Sequence, residues 1–196
     1  EYPTIVYSKI LRELFPDVPV ILGGIEASLR RVTHYDYWQD RLKPCILKDS
    51  GADMIIYGMG EKPILQLARE LSEGRRISEI KDIPQTVYIA SKERILGGIT
   101  DKDIIIHSHE ECLQNKKAEA ENYRTIEEQS NMIHAQRILQ QLDGKYVVVN
   151  PPYAPMTTNE IDAIYDLPYT RLPHPKYKNK RCLLYTSPSP RDRSVS

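Results

Sequence analysis

Short apolar runs alternate with amphipathic stretches along the first hundred residues. Residues 18–22, 54–57 and 86–90 are runs of apolar, often β-branched residues, which is typical of strands buried on both faces. Apolar residues at helical spacing occupy residues 3–15 and 61–74, on either side of the first two runs. This order of helices, strands and glycine turns predicts an α/β fold, a partial parallel sheet with flanking helices.

Glycines follow the first two predicted strands. A glycine pair follows the first run, and a Gly-Met-Gly-Glu turn follows the second. In parallel α/β sheets the loops after the carboxyl ends of strands hold ligands, and glycine lets a ligand approach the backbone closely. Neither loop matches GxGxxG or a P-loop, and tight strand-to-helix packing is the simpler explanation. The candidate rim of a cofactor-binding pocket consists of Gly23, Gly24, Gly58, Gly60 and Glu61.

The second half of the chain has a different pattern. We expect a strand at 103–107, a long charged helix at 116–142 that Asp143-Gly144 ends, and a strand at 146–149. Eight of the 14 prolines lie at residue 151 or later, which predicts an extended connector around one short helix near 159–165. The predicted organisation is a partial Rossmann-like domain at 1–100, a helical and extended connector at 101–180, and a non-native disordered tail at 181–196.

Composition and charge limit the classes of function. The 27 basic and 27 acidic residues argue against a general nucleic-acid binder, and no apolar run reaches the length of a membrane span. Cys45, Cys112 and Cys182 stand 67 and 70 residues apart, which favours reduced thiols in the cytoplasm over a disulfide framework. Because no CxxC or CxxxCxxC motif occurs, we expect no metal site, no cluster and no catalytic residue in this sequence.

An aromatic and acidic cluster occupies residues 34–40, directly after Arg30-Arg31. Its imidazole, phenols and indole can form a stacking wall for a planar ligand. The simpler explanation is that the Tyr and Trp rings are buried on the sheet while the two arginines pair with Asp36 and Asp40.

A second cluster contains His107 and His109, which would share one face of a strand and precede two carboxylates. Alternating histidines can bind a transition metal. Because no third ligand lies nearby in sequence, a solvated turn at the strand end is the simpler explanation.

Several strings of residues form a recognisable series at 17–31, 34–38, 52–53 with 57–61, 148–152, and 167–171 with 173–175 and 177. These strings resemble the YgiQ family of radical S-adenosylmethionine (SAM) proteins. They occur in the family's order and extend over about residues 1–178.

This resemblance implies an N-terminal domain similar to the cobalamin-binding or flavodoxin-like half of other radical SAM enzymes. A barrel with a CxxxCxxC loop would follow, holding a 4Fe–4S cluster and SAM. Three thiolates leave one iron open, and SAM bound there is cleaved reductively to a 5′-deoxyadenosyl radical.

The resemblance therefore implies the accessory part of a cytoplasmic radical SAM protein of undefined small-molecule substrate. Its partner is the barrel domain, which this sequence lacks, and no cofactor is expected within the 196 residues themselves. Cobalamin would need a DxHxxG motif that is not present here, so His34 is not assigned as a cobalt ligand. The alternative is a stand-alone flavodoxin-like ligand-binding or interaction module without redox chemistry.

Both ends of the sequence also carry expectations. Residues 182–196 resemble a translated sequencing-adapter read-through, and their Ser, Pro and Arg content cannot form a core, so they are set aside. The chain begins at Glu1 without an initiator methionine, and we expect the first strands of the sheet to lie upstream.

Overall fold

The structure, a computed structural model, describes residues 2–169 and residue 176. The chain divides into two compact units, Glu1–Pro155 and Met156–Ser196. The first unit contains the sheet, and the second contains one helix among its described residues. The family string at 170–175 and 177 and the predicted tail at 181–196 lie outside the described residues.

The elements follow one another in an order that mixes short strands with helices. The helices are α1 (Pro3–Leu14), α2 (Gly24–Leu29), α3 (Ile46–Ser50), α4 (Glu61–Ser72), α5 (His109–Gln114), α6 (Lys116–Ser130) and α7 (Thr158–Tyr165). The strands are β1 (Ile21–Leu22), β2 (His34–Asp36), β3 (Arg41–Lys43), β4 (Met54–Ile56), β5 (Thr86–Ala90), β6 (Ile104–Ile106), β7 (Ile138–Leu142) and β8 (Lys145–Val149).

Six strands form one sheet in the order β1-β4-β5-β8-β7-β6. β1 pairs with β4 in parallel, as does β6 with β7, and the other neighbours are antiparallel. The predicted α/β class is confirmed, and the sheet is mixed, with parallel pairs. It contains three strands before residue 100 and three after it.

The direction of the strands determines which loops meet. β4 and β8 both pair antiparallel with β5, so β1, β4 and β8 run in the same direction. Their carboxyl ends therefore lie at one end of the sheet. We call this the loop end, defined by residues 23–24, 57–60 and 150–152.

Helices cover both faces of the sheet. Ile55 of β4 packs in a cluster with Val87 and Val147 of the neighbouring strands, to which α1, α2, α3 and α6 contribute side chains. Met54 and Ile56 point to the opposite face, where Leu67 of α4 packs against them. Burial on both faces explains why β4 is an uninterrupted apolar run in the sequence.

The predicted helix at 116–142 is wrong after residue 130. α6 ends at Ser130, and 138–142 is the strand β7. Gln140 lies within that strand and is 1% exposed, because its side chain accepts from the Thr33 amide at 2.8 Å and donates to the His107 carbonyl at 3.0 Å. A polar residue whose hydrogen bonds are satisfied is compatible with the core. The polar residues around Gln140 in the sequence nevertheless indicate the solvated face of a helix.

The chain reversal after β7 is also different from the prediction. Asp143 and Gly144 have φ values of 49° and 71°, and they join β7 to β8. Two successive residues with positive φ are typical of a type I′ hairpin turn, for which Asp-Gly is a favoured sequence. The pair therefore makes a hairpin and does not end a helix.

The described chain offers no helical membrane anchor. Within residues 2–169, no helix combines the length and the apolar character needed to cross a bilayer.

Candidate functional site

The five predicted rim residues line a single cavity of about 400 Å³ at the loop end of the sheet. Its remaining wall is apolar and comes from Ile21, Leu22, Ile56 and Ile64. The structure therefore brings together residues that are up to 38 positions apart, Gly23 and Glu61 being the most distant pair. We call this space the glycine-loop cavity.

Ser28 of α2 holds the two glycine loops together. Its hydroxyl donates to the Gly24 carbonyl at 2.8 Å and accepts from the Gly58 amide at 3.0 Å. Gly24 and Gly58 have φ values of 79° and 67°, in the left-handed region that glycine adopts without strain. One side chain thus connects the turn after β1 with the turn after β4.

Gln85 holds the second loop from the other side. Its Nε2 donates to the Tyr57 carbonyl at 2.7 Å and to the Met59 carbonyl at 2.5 Å. The Gln85 backbone amide donates to the Pro151 carbonyl at 2.8 Å, so the loop after β8 is tied to the same residue. Sequence analysis missed Gln85, since a single amide side chain before a strand carries no motif.

Tyr57 and Asn150 link the loop end to the core. The Tyr57 hydroxyl donates to the Asn150 carbonyl at 2.6 Å, and burial raises the pKa of this phenol to about 12, so it stays a neutral donor. Asn150 Nδ2 lies 2.9 Å from the Ile83 carbonyl and 3.0 Å from Thr86 Oγ1. Two strings of the family resemblance, 57–61 and 148–152, therefore meet here.

Glu61 supplies the acidic group of the cavity wall. It is the first residue of the 12-residue helix α4, and its Oε2 is buried without a hydrogen-bond partner among the described residues. A Cβ on Gly60 would come within 3.3 Å of Ile56 Cγ2, so the backbone packs closely against β4 beside it. The cavity is thus lined by apolar side chains, by the backbone of four glycines, and by one carboxylate oxygen that can accept a hydrogen bond.

A larger cavity lies at the opposite end of the sheet. Its volume is about 540 Å³, and its wall includes Lys81, Arg94 and Lys145 but none of the predicted rim residues. Lys81 donates to the Arg94 carbonyl at 2.8 Å, and burial lowers its pKa.

The aromatic cluster at 34–40 forms the hairpin of β2 and β3. The expectation that its rings are buried on the sheet is wrong for Tyr37 and Trp38, which are 77% and 83% exposed and touch each other edge to face at 5.8 Å. Among the described residues, neither expected arginine pair forms: Arg30 pairs with Glu26 at 2.9 Å, and Arg31 donates to the Ser28 carbonyl. A role of this hairpin in binding a planar ligand stays a prediction.

The two histidines of the predicted cluster lie in different surroundings. His107 Nε2 lies 2.8 Å from a Glu121 carboxylate oxygen at the surface, while His109 begins α5 and is 8% exposed. His109 Nδ1 lies 3.0 Å from Thr33 Oγ1, and burial lowers the pKa of this imidazole. Among the described residues, no group of three His, Cys, Asp or Glu side chains is arranged to hold a metal ion.

The cofactors implied by the resemblance do not fit the described residues. Cys45 and Cys112 are each 1% exposed, and burial raises the pKa of both thiols to about 12. A radical SAM cluster needs three thiolates, whereas the described residues contain these two cysteines and no group of three possible ligands. Cys182 lies outside the described residues, and no histidine is among the residues that line the glycine-loop cavity as a cobalt ligand.

Fold and cavity together define an α/β domain with a mixed six-stranded sheet, whose candidate ligand loops follow the carboxyl ends of the parallel strands β1 and β4. The family described as "Radical SAM N-terminal" matches residues 1–186. The chain belongs to this family.

Curated relatives agree with this assignment. The chain is 56% identical to a "UPF0313 protein" of Bacteroides thetaiotaomicron, in an alignment that covers 94% of this chain and 31% of the relative. It is also 56% identical to a "UPF0313 protein" of Porphyromonas gingivalis, over 92% of this chain and 28% of the relative. A "UPF0313 protein" of Methanocella arvoryzae is 44% identical, over 88% and 28%.

These relatives confirm the resemblance to the YgiQ family. The chain spans less than a third of their length. No solved structure shows a significant match to the chain.

Proposed function

We propose that this chain is the accessory N-terminal domain of a radical SAM enzyme whose 4Fe–4S cluster and SAM are held by a CxxxCxxC barrel elsewhere in the protein. The observation that carries this proposal is the family match over residues 1–186, in relatives about three times as long. The number of cysteines among the described residues supports it, because Cys45 and Cys112 are two and a radical SAM cluster needs three thiolates.

In this proposal the glycine-loop cavity is the small-molecule site of the accessory domain. Its five rim residues come from two loops at the carboxyl ends of β1 and β4, where α/β domains bind their ligands. The buried Glu61 Oε2 would accept a hydrogen bond from a ligand hydroxyl or amine. Backbone at Gly23 and Gly24 would approach the ligand closely.

A chimera tests the accessory role. This chain replaces the matching segment of the Bacteroides relative, and iron and sulfide per chain are measured after anaerobic purification. The double variant Cys45→Ala, Cys112→Ala should keep the full cluster content. The matched control replaces one cysteine of the CxxxCxxC loop and should lose the cluster. Loss of the cluster in the double variant would contradict the proposal and favour a site within this domain.

A second pair of variants tests the cavity. A Cβ at Gly23 has ordinary contacts, with the Ile56 carbonyl oxygen at 3.7 Å, so Gly23→Ala is the control and Gly23→Leu fills the space. Native mass spectrometry of the chimera, incubated with a bacterial small-molecule extract, should show a bound species in the control that is absent from Gly23→Leu. Equal occupancy in both variants, or none in either, would remove the case for a ligand in this cavity.

A further inference from the structure

Arg31 differs from the other partly buried arginines of this domain. Five arginines in residues 2–169 are partly buried. Four of them pair with a carboxylate: Arg12 with Asp53, Arg30 with Glu26, Arg75 with Glu70 and Arg137 with Asp103. Arg31 is the fifth, and its only hydrogen bond among the described residues is from Nη1 to the Ser28 carbonyl at 2.5 Å.

The surroundings of Arg31 leave its charge without a counterion. Its guanidinium carbon lies 5.2 Å from the centre of the Tyr57 ring, whose phenol is neutral. Burial lowers the pKa of Arg31, and the acidic residue that opposes this effect, Glu127, is exposed on α6. Removing a cation from water without pairing it with an anion costs free energy. An anion that reaches Arg31 would form that missing ion pair.

A cavity of about 270 Å³ opens beside this guanidinium. The polar residues Gln129, Gln136 and Asn150 line it together with Arg31. Part of the wall is apolar and comes from Ile126 of α6, Ile138 of β7 and Val149 of β8. The volume is near the lower end of the roughly 300–1,000 Å³ that is usual for small-molecule sites.

This cavity is separate from the glycine-loop cavity but adjoins it. Gly58 lines both, and both lie at the loop end of the sheet. An arginine fork fits an oxyanion through two parallel hydrogen bonds, and the unengaged nitrogens of Arg31 are available for them.

We propose that Arg31 binds the oxyanion group, a carboxylate or a phosphate, of a small molecule that occupies this cavity. The Tyr57 ring supports the guanidinium from one face, and Gln129 and Gln136 are among the residues that surround the ligand. The site is independent of the accessory role, since it rests on residues of this chain alone.

Titration of the full chain with inorganic phosphate and, separately, with acetate tests the site. Isothermal calorimetry at low and constant chloride should show saturable binding of at least one of the two. Arg31→Gln should weaken that binding at least tenfold. Arg31→Lys keeps the charge without the fork and should bind with intermediate affinity. Ala135→Leu fills the cavity without touching the charge and should also abolish binding.

The two anions distinguish the source of the ligand group. Binding of phosphate alone supports a phosphate ester, and binding of acetate alone supports a carboxylate. The inference is overturned if neither anion binds, or if Arg31→Gln binds as the parent does. It is equally overturned if Arg94→Gln, in the larger cavity at the opposite end, removes the binding. Should Arg31→Gln fail to fold by circular dichroism, the Lys and Leu variants decide the question.

Discussion

Ser28 is a single side chain on which the arrangement of the candidate site depends. Its hydroxyl spans the carbonyl of Gly24 and the amide of Gly58, and those glycines belong to loops 34 residues apart. Neither loop can shift alone without breaking one of these bonds. No sequence motif identifies such a residue, because helices commonly contain serines whose hydroxyl forms hydrogen bonds only within its own turn.

Ser28→Ala should lower the free energy of unfolding by about 1 kcal/mol, since the hydrogen bond that joins the two loops is lost. Ser72→Ala is the matched control: the Ser72 hydroxyl donates to a carbonyl of its own helix at 2.7 Å and is exposed. The control should stay within about 0.5 kcal/mol of the parent. Urea unfolding followed by circular dichroism measures both, and equal losses would contradict the bridging role.

His109 should give the domain a pH-dependent stability. Burial lowers the pKa of His109 below its ordinary value near 6.5, so the folded state binds this proton less tightly than the unfolded state. The contribution of the neutral imidazole is complete above the unfolded pKa and is lost as the pH falls below about 6.5. His109→Gln should therefore flatten the decline in unfolding free energy between about pH 7 and pH 5.

The exposed His134 provides the control for that titration. His134→Gln should leave the pH profile of the unfolding midpoint unchanged. An unchanged profile in His109→Gln as well would show that this imidazole does not contribute to the slope.

At the scale of elements, the apolar strands of the six-stranded sheet were predictable, including the edge strand β6, whereas β7 and the β2–β3 hairpin were not. β4 and β5 stand out as apolar runs, and the structure has them at 54–56 and 86–90. β7 was predicted as helix because two glutamines interrupt its apolar residues, and Gln140 is compatible with the core only through its bonds to Thr33 and His107. Partners 107 and 33 residues away in the chain are invisible to any local pattern.

The same limit applies to strand direction and to the site. The apolar runs predict where strands lie. They do not predict that β5 pairs antiparallel with both β4 and β8, because this pairing joins residues far apart in the sequence. The glycine loops were identified because they follow apolar runs, and they do meet in one cavity. Gln85 and Arg31 were not identified, because both contact Tyr57, which lies 28 and 26 positions away in the sequence and comes close only in the folded chain.

Gly144 should be essential to the β7–β8 hairpin. Its φ of 71° places it in the left-handed region, so Gly144→Ala should cost about 1–2 kcal/mol of unfolding free energy. Gly144→Asn should cost less, because asparagine adopts this conformation more readily. Thermal or urea unfolding of the two variants measures the order, and an alanine variant as stable as the parent would contradict the assignment of the turn.

At the scale of the whole molecule, this domain has a core on both faces of its sheet and two small cavities at one end of it. Its described cysteines are buried within that core and are neutral. In the function that we propose, this chain supplies scaffold and small-molecule binding, and the remainder of a longer protein generates the radical.

Anaerobic reconstitution of the isolated chain with iron and sulfide tests that division most directly. Iron, acid-labile sulfide and 5′-deoxyadenosine are measured after addition of SAM and a strong reductant, with the chimera as the positive control. We expect the chimera to hold a cluster and cleave SAM, and the isolated chain to do neither. A stoichiometric 4Fe–4S cluster in the isolated chain, with 5′-deoxyadenosine formed, would contradict the account.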